Sequence, residues 1–331
     1  MKSINEFKEL NISSKDITFV HRGRNRYHSR FFKDFCDYDY NYDFRHQPDR
    51  KIINIFLNFL KSLIFLYEVK KSRFYLLEGG LCLHIGMLIN LFNREKKIIF
   101  NLADPFLYKK NNGFFTRLKY KIKISFLRKC AFIFTNSPLA YRELVQLGID
   151  EIYYYKLQIS DSKIDDKNIY PHGDKNKNIL YMITRPTETA HIKGLDIATD
   201  IIKHDTSEEY KYIFAGSEDI EFDDSNLTKI GFTDDVSTLY KNAKILICPS
   251  AYDSYPCVSI ECIKYSVLPL VSNRCGSSVD LKEIDQNLVA EYADIKDWLT
   301  KIDTLMNYTN TEFNDVMSRL ICLHNSFCPN E

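Results

Sequence analysis

Two carboxylates stand eight residues apart in one short segment of this 331-residue chain. The segment is PSAYDSYPCVSIE, and its two acids are Asp253 and Glu261. The apolar run KILIC before it has the pattern of a buried strand, whereas the residues after Pro256 have the pattern of a short helix. The segment therefore predicts a loop between a strand and a helix, with one acid in the loop and the other in the helix.

The residue types in this segment suit a particular kind of ligand. The first turn of the predicted helix offers unpaired backbone N–H groups and a positive dipole end, which suit a phosphate or diphosphate. Pro256 fits there because a proline at the start of a helix gives up only an N–H that the helix does not use. The Glu261 carboxylate suits a vicinal diol, as an acidic residue does for ribose in dinucleotide folds. With Asp253 holding a second set of hydroxyls, the segment indicates a nucleotide sugar.

The elements that must position these residues follow a regular pattern. Short apolar runs alternate with helical patterns along nearly the whole chain, which indicates parallel sheets with helices on both faces. The chain is about twice the usual domain length, and the charge-dense stretch 160–178 interrupts the alternation. We predict an α/β fold of two Rossmann-like domains, residues 1–171 and 172–331, with mostly parallel sheets facing a central cleft. Ligands of such sheets bind beyond the carboxyl ends of the strands, so we expect the segment to line that cleft.

Several other classes of protein lack support in the sequence. There is no G-x-G-x-x-G after a strand and no P-loop motif, so we predict no dinucleotide cofactor and no P-loop ATPase. The nine cysteines include no C-x-x-C pair and several lie in apolar runs, which indicates a reduced, cytosolic chain without a metal site. Asp37 and Asp39 imitate an Asp-x-Asp metal site, but no convincing strand precedes them. The most apolar segment, 52–67, contains Lys61 and two asparagines and predicts a buried or interfacial helix over 51–68 rather than a membrane span.

The segment PSAYDSYPCVSIE resembles the signature of retaining, GT-B-fold glycosyltransferases of family 4, also called glycosyl transferases group 1. In that signature Pro-Ser is followed by a Glu, seven residues and a second Glu. The flanks GFTDDVSTLYKNAKILICPS and ECIKYSVLPLVSN resemble the stretches before and after the signature, and MITRPTETAHIKGLD resembles the segment that opens the donor domain. The resemblance covers about 180–280 and is fainter in the first half, where CAFIFTNSPLAYRELVQLGI resembles the end of the acceptor domain.

This resemblance implies roles for individual residues. Glu261 would bind the ribose hydroxyls, and Asp253, in place of the first Glu, would contact the donor sugar. Arg185 and Lys193 would hold the diphosphate and stabilise the leaving group, so that no metal is needed. The other donor-side residues that it implies are Ser254, Tyr255, Pro256 and Cys257 along the phosphates, Gly231 and Phe232 near the base, and Gly216 after a strand.

In the first half, Glu78 and Asp104 both end predicted strands, where acceptor-side groups would lie. Each residue also has a plainer interpretation. Glu78 precedes a Gly-Gly turn, and Asp104 precedes Pro105 and can simply initiate a turn. His84 lies within an apolar helical pattern and is interpreted as a core residue.

The charges are distributed unevenly along the chain. Residues 1–172 hold 30 Lys and Arg against 18 Asp and Glu, a net of +12, whereas residues 173–331 hold 15 against 26, a net of −11. This asymmetry indicates an anionic partner for the first half, or attraction between the two halves. The stretch 108–130 has eight basic residues, no acid and several aromatic residues. We predict that this stretch contacts an anionic membrane surface. The alternative is a solvated helix face. We do not predict that it binds nucleic acid.

The resemblance implies an enzyme that moves a hexose from a nucleoside-diphosphate sugar to a glycan or lipid-linked acceptor with retention of configuration. Cell-surface polysaccharide or glycolipid synthesis, in the cytoplasm and peripherally at the inner membrane face, is the expected setting. The alternative is a non-catalytic GT-B-fold protein kept for binding or assembly. Two features motivate this alternative: Asp253 stands in place of Glu, and the chain ends at HNSFCPNE, where the family has a further helix.

Overall fold

The computed structural model describes residues 1–21, 32, 35–41, 72–92, 97–103, 105–108, 113–160, 162–165, 176–183, 190–207, 209–216 and 222–328. The chain divides into two compact units, Met1–Leu157 and Gln158–Glu331. The predicted helix at 51–68 and much of the stretch 160–178 lie outside the described residues.

The first unit is built on a parallel sheet. Its strands lie in the order β2-β1-β3-β4-β5-β6, and each neighbouring pair is parallel. The described elements are β1 Ile17–His21, β2 Tyr38–Asn41, β3 Phe74–Glu78, β4 Lys97–Leu102, β5 Phe132–Thr135 and β6 Ile152–Tyr154, with helices α1 Ile4–Lys8, α2 Leu83–Phe92, α3 Phe114–Leu127 and α4 Pro138–Gln146.

The strands of this sheet are apolar because helices cover them. Every residue of β1 is buried, and only the first residue of β4 is exposed, as expected for parallel strands covered on both faces. Helices α2 and α3 pack so closely that a Cβ on Gly86 would lie 2.6 Å from the Phe126 ring. Glycine at this position therefore allows the two helices to pack together over the sheet.

The second unit repeats the same architecture. Its parallel strands lie in the order β12-β11-β10-β7-β8-β9. The described elements are β7 Asn178–Met182, β8 Lys211–Ala215, β9 Leu227–Ile230, β10 Ile245–Cys248, β11 Leu268–Ser272 and β12 Val289–Ala290, with helices α5 Leu195–His204, α6 Val236–Lys241, α7 Val258–Glu261, α8 Ser278–Ile284, α9 Ile295–Met306 and α10 Asn310–Asn325. Two parallel sheets with helices confirm the predicted α/β class.

The start of the second unit is held by the end of the chain. The Ile159 amide donates to the Phe327 carbonyl at 3.1 Å, and the Asn325 side chain forms two hydrogen bonds with the backbone of Ile164. The Cys328 thiol also lies 3.2 Å from the Ser162 carbonyl oxygen. These contacts explain why the units divide at Leu157, earlier than the boundary at 171 that composition suggests.

Helix α3 presents apolar side chains on its exposed surface. Phe114 and Phe115 are 76% and 75% exposed, and Leu118 and Ile122 are each 45% exposed. With 100° per residue these four positions form one stripe, which basic residues flank on both sides. Among the described helices, none combines the length and the apolar character needed to cross a membrane.

Candidate active site

Loops from three neighbouring strands of the second sheet meet at its carboxyl edge. β10 lies between β7 and β11. Lys193 follows β7, Asp253 follows β10, and Cys275 follows β11. The Asp253 carbonyl accepts a hydrogen bond from the Gly276 amide at 2.8 Å, and Asp253 forms an isolated bridge with Cys275. The parallel topology therefore brings together residues that are distant in sequence.

A close backbone approach places Lys193 in this cluster. Gly194 has a left-handed φ of +75°, and a Cβ there would lie 1.9 Å from the Pro249 carbonyl oxygen. The Ala251 amide donates to the Ile192 carbonyl at 2.8 Å, and the Tyr181 hydroxyl donates to the Lys193 carbonyl at 3.2 Å. Only glycine fits at position 194, so the Lys-Gly pair of the sequence has a steric reason.

Lys193 and Asp253 form an ion pair with an Nζ–Oδ2 distance of 2.5 Å. The Asp253 side chain is 12% exposed and that of Lys193 is 39% exposed. The carboxylate raises the pKa of the Lys193 ammonium, an effect that outweighs the lowering by burial. Lys193 is therefore firmly protonated, and its charge is fixed at the carboxyl edge of the sheet.

The loop between Asp253 and helix α7 is largely buried. The Ser254 hydroxyl is buried and has no hydrogen-bond partner among the described residues. The Tyr255 hydroxyl donates to Asp280 at 2.7 Å, and the Pro256 carbonyl accepts from the Ser259 hydroxyl at 2.7 Å. Cys257 is the N-cap of α7, and burial raises the pKa of its thiol. Ser254 thus has an unused hydroxyl, whereas the Tyr255 side chain is engaged within the fold.

Glu261 is the last residue of α7, which continues as a 3₁₀ turn, Cys262–Tyr265. Its Oε2 lies 3.5 Å from the Tyr240 hydroxyl of α6. Burial, followed by the charge of Glu261, raises the pKa of Tyr240 well above its usual range. The Tyr240 and Tyr265 rings stack with their centroids 5.3 Å apart. Glu261 and both tyrosines line a pocket of about 300 Å³ within the second unit, and the sequence does not single out these aromatic neighbours.

Three other predicted donor-side residues lie in loops that follow strands of the same sheet. Gly216 follows β8 with a φ of +104°, and a Cβ there would lie 1.7 Å from the Ile183 carbonyl oxygen. Gly231 and Phe232 follow β9, and Phe232 is 79% exposed. Backbone packing therefore explains the glycine at 216, and the donor-binding roles of these three residues stay predictions.

The first unit has polar groups at the corresponding edge of its own sheet. Glu78 ends β3, and the Gly79 amide beside it donates to the Asn101 carbonyl. The Asn101 side chain is fully buried and accepts from the Tyr155 hydroxyl at 2.8 Å. Its Nδ2, and the Oδ1 of buried Asn136, have no partner within the described residues. Sequence reasoning missed both asparagines because Asn101 lies inside an ordinary apolar strand and Asn136 directly follows another.

Two predicted catalytic residues, Arg185 and Asp104, lie outside the described residues. Asp37 immediately precedes strand β2 and Asp39 lies within it, so the Asp-x-Asp pattern stands at the start of a strand rather than after one. Within the described part of the chain, no group of three or more His, Cys, Asp or Glu residues could hold a metal ion.

Two Rossmann-like units with parallel sheets define the GT-B class of fold. The family model described as "Glycosyl transferases group 1" matches residues 165–318. These residues form a glycosyltransferase domain that includes Lys193, Asp253 and Glu261. No protein of curated function matches the sequence.

Three solved structures illustrate the similarity of fold. HepE from Anabaena, in complex with UDP-glucose, has 10% identity and a TM-score of 0.64, with 94% of each chain covered. The UDP-forming α,α-trehalose-phosphate synthase from Burkholderia xenovorans has 8% identity and a TM-score of 0.64, with 94% of this chain and 97% of that chain covered. Sucrose-phosphate synthase from Thermosynechococcus elongatus has 13% identity and a TM-score of 0.60, with 85% and 76% covered. At these identities the similarity shows the fold alone.

Proposed function

We propose that this chain is a retaining, metal-independent hexosyltransferase of the family 4 type, which uses a nucleoside-diphosphate sugar. The acceptor in this proposal is a glycan or a lipid-linked sugar, as in the synthesis of cell-surface polysaccharides or glycolipids. The observation that carries the proposal is the Lys193–Asp253 ion pair at the carboxyl edge of the second sheet. Lys193 and Asp253 both lie within the residues that the family model matches, and Asp253 stands eight residues before Glu261.

In the proposed reaction the bond between the anomeric carbon and the diphosphate oxygen breaks. A bond from the acceptor hydroxyl oxygen to the anomeric carbon forms on the same face of the sugar, and the hydroxyl proton passes to the diphosphate. Negative charge grows on the leaving group, so a fixed cation there lowers the barrier. Lys193 supplies that cation, with Arg185 as its proposed partner.

The ion pair defines what must change when a donor binds. Lys193 would exchange the Asp253 carboxylate for a diphosphate oxygen, and Asp253 would then accept hydrogen bonds from sugar hydroxyls. The buried Ser254 hydroxyl, without a partner in the described chain, would donate to the phosphates. In the first unit, Glu78 and Asp104 are proposed to face the acceptor.

A donor panel tests the proposal. The protein is mixed with UDP-glucose, and with GDP-, ADP- and CDP-linked hexoses, and release of the nucleotide is followed with and without simple sugar acceptors. We begin with UDP-glucose because the structure of HepE contains it. Release from at least one donor supports the enzyme. Binding without any release favours the alternative, a non-catalytic binding or assembly protein.

Metal independence has its own test. If Lys193 and Arg185 supply the positive charge, treatment with EDTA should leave nucleotide release unchanged. Loss of activity that Mg²⁺ or Mn²⁺ restores would instead require a metal site and would overturn this part of the proposal.

A second proposal concerns helix α3 and an anionic membrane face. Its exposed apolar stripe, Phe114, Phe115, Leu118 and Ile122, is flanked by basic residues, and the helix contains no acid. Arg117 and Lys121 lie on one side of the stripe, and Lys119 and Lys123 on the other, at 100° per residue. An interfacial helix buries an apolar face between acyl chains and places its basic residues at anionic headgroups.

One contact within the protein reduces the number of basic residues of α3 that can contact lipid headgroups. The Lys123 ammonium donates to the Phe106 carbonyl at 2.5 Å and lies 4.7 Å from the centre of the Phe106 ring. Arg117, Lys119 and Lys121 are therefore the proposed lipid-facing cations. Sedimentation with anionic and neutral vesicles, at low and high salt, tests this surface. Failure to bind anionic vesicles at low salt would leave α3 as a solvated helix.

A further inference from the structure

A buried histidine lies in the wall of the pocket that contains Glu261. The pocket has a volume of about 300 Å³, at the lower end of the range for small-molecule sites. His324, near the end of α10, lines it together with Ser237, Tyr240, Glu261 and Lys264. The residue is 0% exposed, and nothing in the sequence pattern connects it with the segment PSAYDSYPCVSIE.

The neighbours of His324 determine which ring nitrogen carries the proton. The Asn325 Oδ1 accepts from the Ile164 amide at 2.8 Å, and its Nδ2 donates to the Ile164 carbonyl at 3.0 Å. These two hydrogen bonds fix the orientation of the Asn325 amide. Its Oδ1 lies 3.2 Å from the His324 Nδ1, so Nδ1 must be the donor. In the neutral ring Nε2 is then an acceptor.

That acceptor is unused. The Nε2 atom of His324 is buried and has no hydrogen-bond partner among the described residues. Burial lowers the pKa of the ring, and the positive charge of Lys264 lowers it further, against the opposing effect of Asn325. The ring is therefore neutral at pH 7. A buried acceptor without a partner costs free energy. A residue that carries one and also lines a pocket points to a ligand that donates a hydrogen bond.

The pocket offers complementary features for a nucleoside. The Glu261 carboxylate and the His324 Nε2 are both acceptors, which suits a ligand rich in O–H and N–H groups. The stacked Tyr240 and Tyr265 rings form an aromatic part of the wall, and a planar base packs well against such a surface. Asn325 and Cys328, which the Nδ1 side of the ring contacts, do not line the pocket. The Nε2 atom, by contrast, has no hydrogen-bond partner among the described residues.

We propose that this pocket holds the nucleoside of the donor, and that the Nε2 atom of His324 accepts a hydrogen bond from an N–H group of the base. This proposal rests on the proposed function, in which Glu261 binds the ribose hydroxyls. His324 thereby becomes a specificity-determining residue that lies outside the signature segment. It belongs to the last described helix, which also holds the start of the second unit.

Calorimetric titration of UDP, GDP, ADP and CDP into the full-length protein tests this role. Two variants distinguish the roles of the two ring nitrogens. His324→Asn keeps a polar group near the Nδ1 position, and His324→Gln keeps one near the Nε2 position. We expect His324→Asn to weaken the best-bound nucleotide about tenfold and His324→Gln to retain affinity within about threefold. Pyrophosphate should bind all three proteins equally, because it has no base. His204→Gln, at an exposed position, is the control.

Methylated nucleotides provide a second measurement that needs no variant. The best-bound nucleotide is compared with its N-methylated analogue: 3-methyl-UDP, 1-methyl-GDP, N6,N6-dimethyl-ADP or N4,N4-dimethyl-CDP. The analogue should bind the parent protein about tenfold more weakly. In the His324→Asn variant the methylated and unmethylated nucleotides should bind with equal affinity. This comparison requires that His324→Asn has the same melting temperature as His324→Gln.

The outcomes separate this proposal from the proposed function. If Glu261→Ala weakens nucleotide binding but neither His324→Asn nor methylation does, the donor site stands and the role of His324 is wrong. If the parent protein binds none of the four nucleotides, both proposals are wrong. If His324→Asn does not fold, the methylated analogue decides alone: equal binding of both nucleotides to the parent protein overturns the proposal.

Discussion

The two units share an architecture and differ in how they present polar groups. In the second unit, the charged residues of interest are held by single contacts of defined geometry, such as the Lys193–Asp253 pair at 2.5 Å. In the first unit, the charge is spread over a helix whose apolar side chains remain exposed. The same type of sheet therefore supports either a specific site or a broad surface. Single substitutions should therefore have large effects on activity in the second unit. In the first unit they should have small, additive effects on binding to anionic surfaces.

The largest effect is expected at Lys193. In the proposed reaction, Lys193→Ala should reduce nucleotide release by about 100- to 1000-fold, because it removes the cation proposed to stabilise the charge on the leaving group. It also leaves Asp253, which is 12% exposed, without its ion-pair partner. Steady-state kinetics measures the change, with Lys203→Ala, at a side chain that is 51% exposed, as the control. Equal activities of the two variants would remove Lys193 from the leaving-group site.

The loss of unfolding free energy on replacing a glycine by alanine can be compared at one position in each unit. Gly148 in the first unit and Gly194 in the second both have positive φ, 71° and 75°, but a Cβ on Gly148 would meet nothing within 4 Å. Gly148→Ala should therefore cost about 1–2 kcal/mol of unfolding free energy from backbone strain alone. Gly194→Ala should cost at least ~3 kcal/mol, since the Pro249 carbonyl must also move. Scanning calorimetry measures both, and equal costs would argue against the close approach at Gly194.

Because His324 is buried, we expect the free energy of unfolding to decrease in acid. Burial holds its pKa in the folded protein below the ordinary value of 6.5, so the unfolded chain takes up a proton first as the pH falls. The contribution of the neutral ring is complete above pH 6.5 and declines below it, by up to ~1.4 kcal/mol per pH unit. Urea unfolding between pH 7.5 and 5 measures this slope. His324→Gln should flatten it and His204→Gln should not; the reverse result would contradict the buried neutral ring.

The smallest single effects are expected on helix α3 of the first unit. Each basic residue near an anionic bilayer contributes ~1 kcal/mol, screened by salt. Lys119→Glu combined with Lys121→Glu should weaken binding to anionic vesicles without changing nucleotide release in solution. Lys282→Glu with Lys296→Glu, at two exposed positions of the second unit, is the matched control. If the two double variants weaken vesicle binding equally, the binding depends on the net charge of the protein and not on the surface of α3.

Much of the fold was predictable from local patterns. Apolar runs such as KILIC became buried parallel strands, and the segment from Pro249 to Glu261 became the expected loop and helix after that strand. The short helix predicted after Pro256 spans Val258–Glu261, and the residues that follow it, Cys262–Tyr265, tighten into a 3₁₀ turn. Side-chain packing, which local propensity does not describe, decides such details.

The candidate site was predictable only as a set of residues. The spacing of Asp253 and Glu261, and the Lys-Gly pair at 193–194, are visible in the sequence because they lie within short segments. The ion pair between Lys193 and Asp253 is not visible, since it depends on the Pro249 carbonyl approaching Gly194 across 55 residues of chain. Contacts between loops of different strands follow from the order of strands in the sheet.

By itself, the sequence of this protein determined the class of fold, the uneven charge and the residue types at the candidate site, because periodicity and spacing are local properties. Tertiary structure alone decided that Lys193 is paired with Asp253, that Phe114 and Phe115 stay exposed, and that His324 joins the pocket of Glu261. Each of these facts depends on which surfaces meet when strands and helices pack. Residues 63 positions apart, such as Glu261 and His324, become neighbours only through that packing.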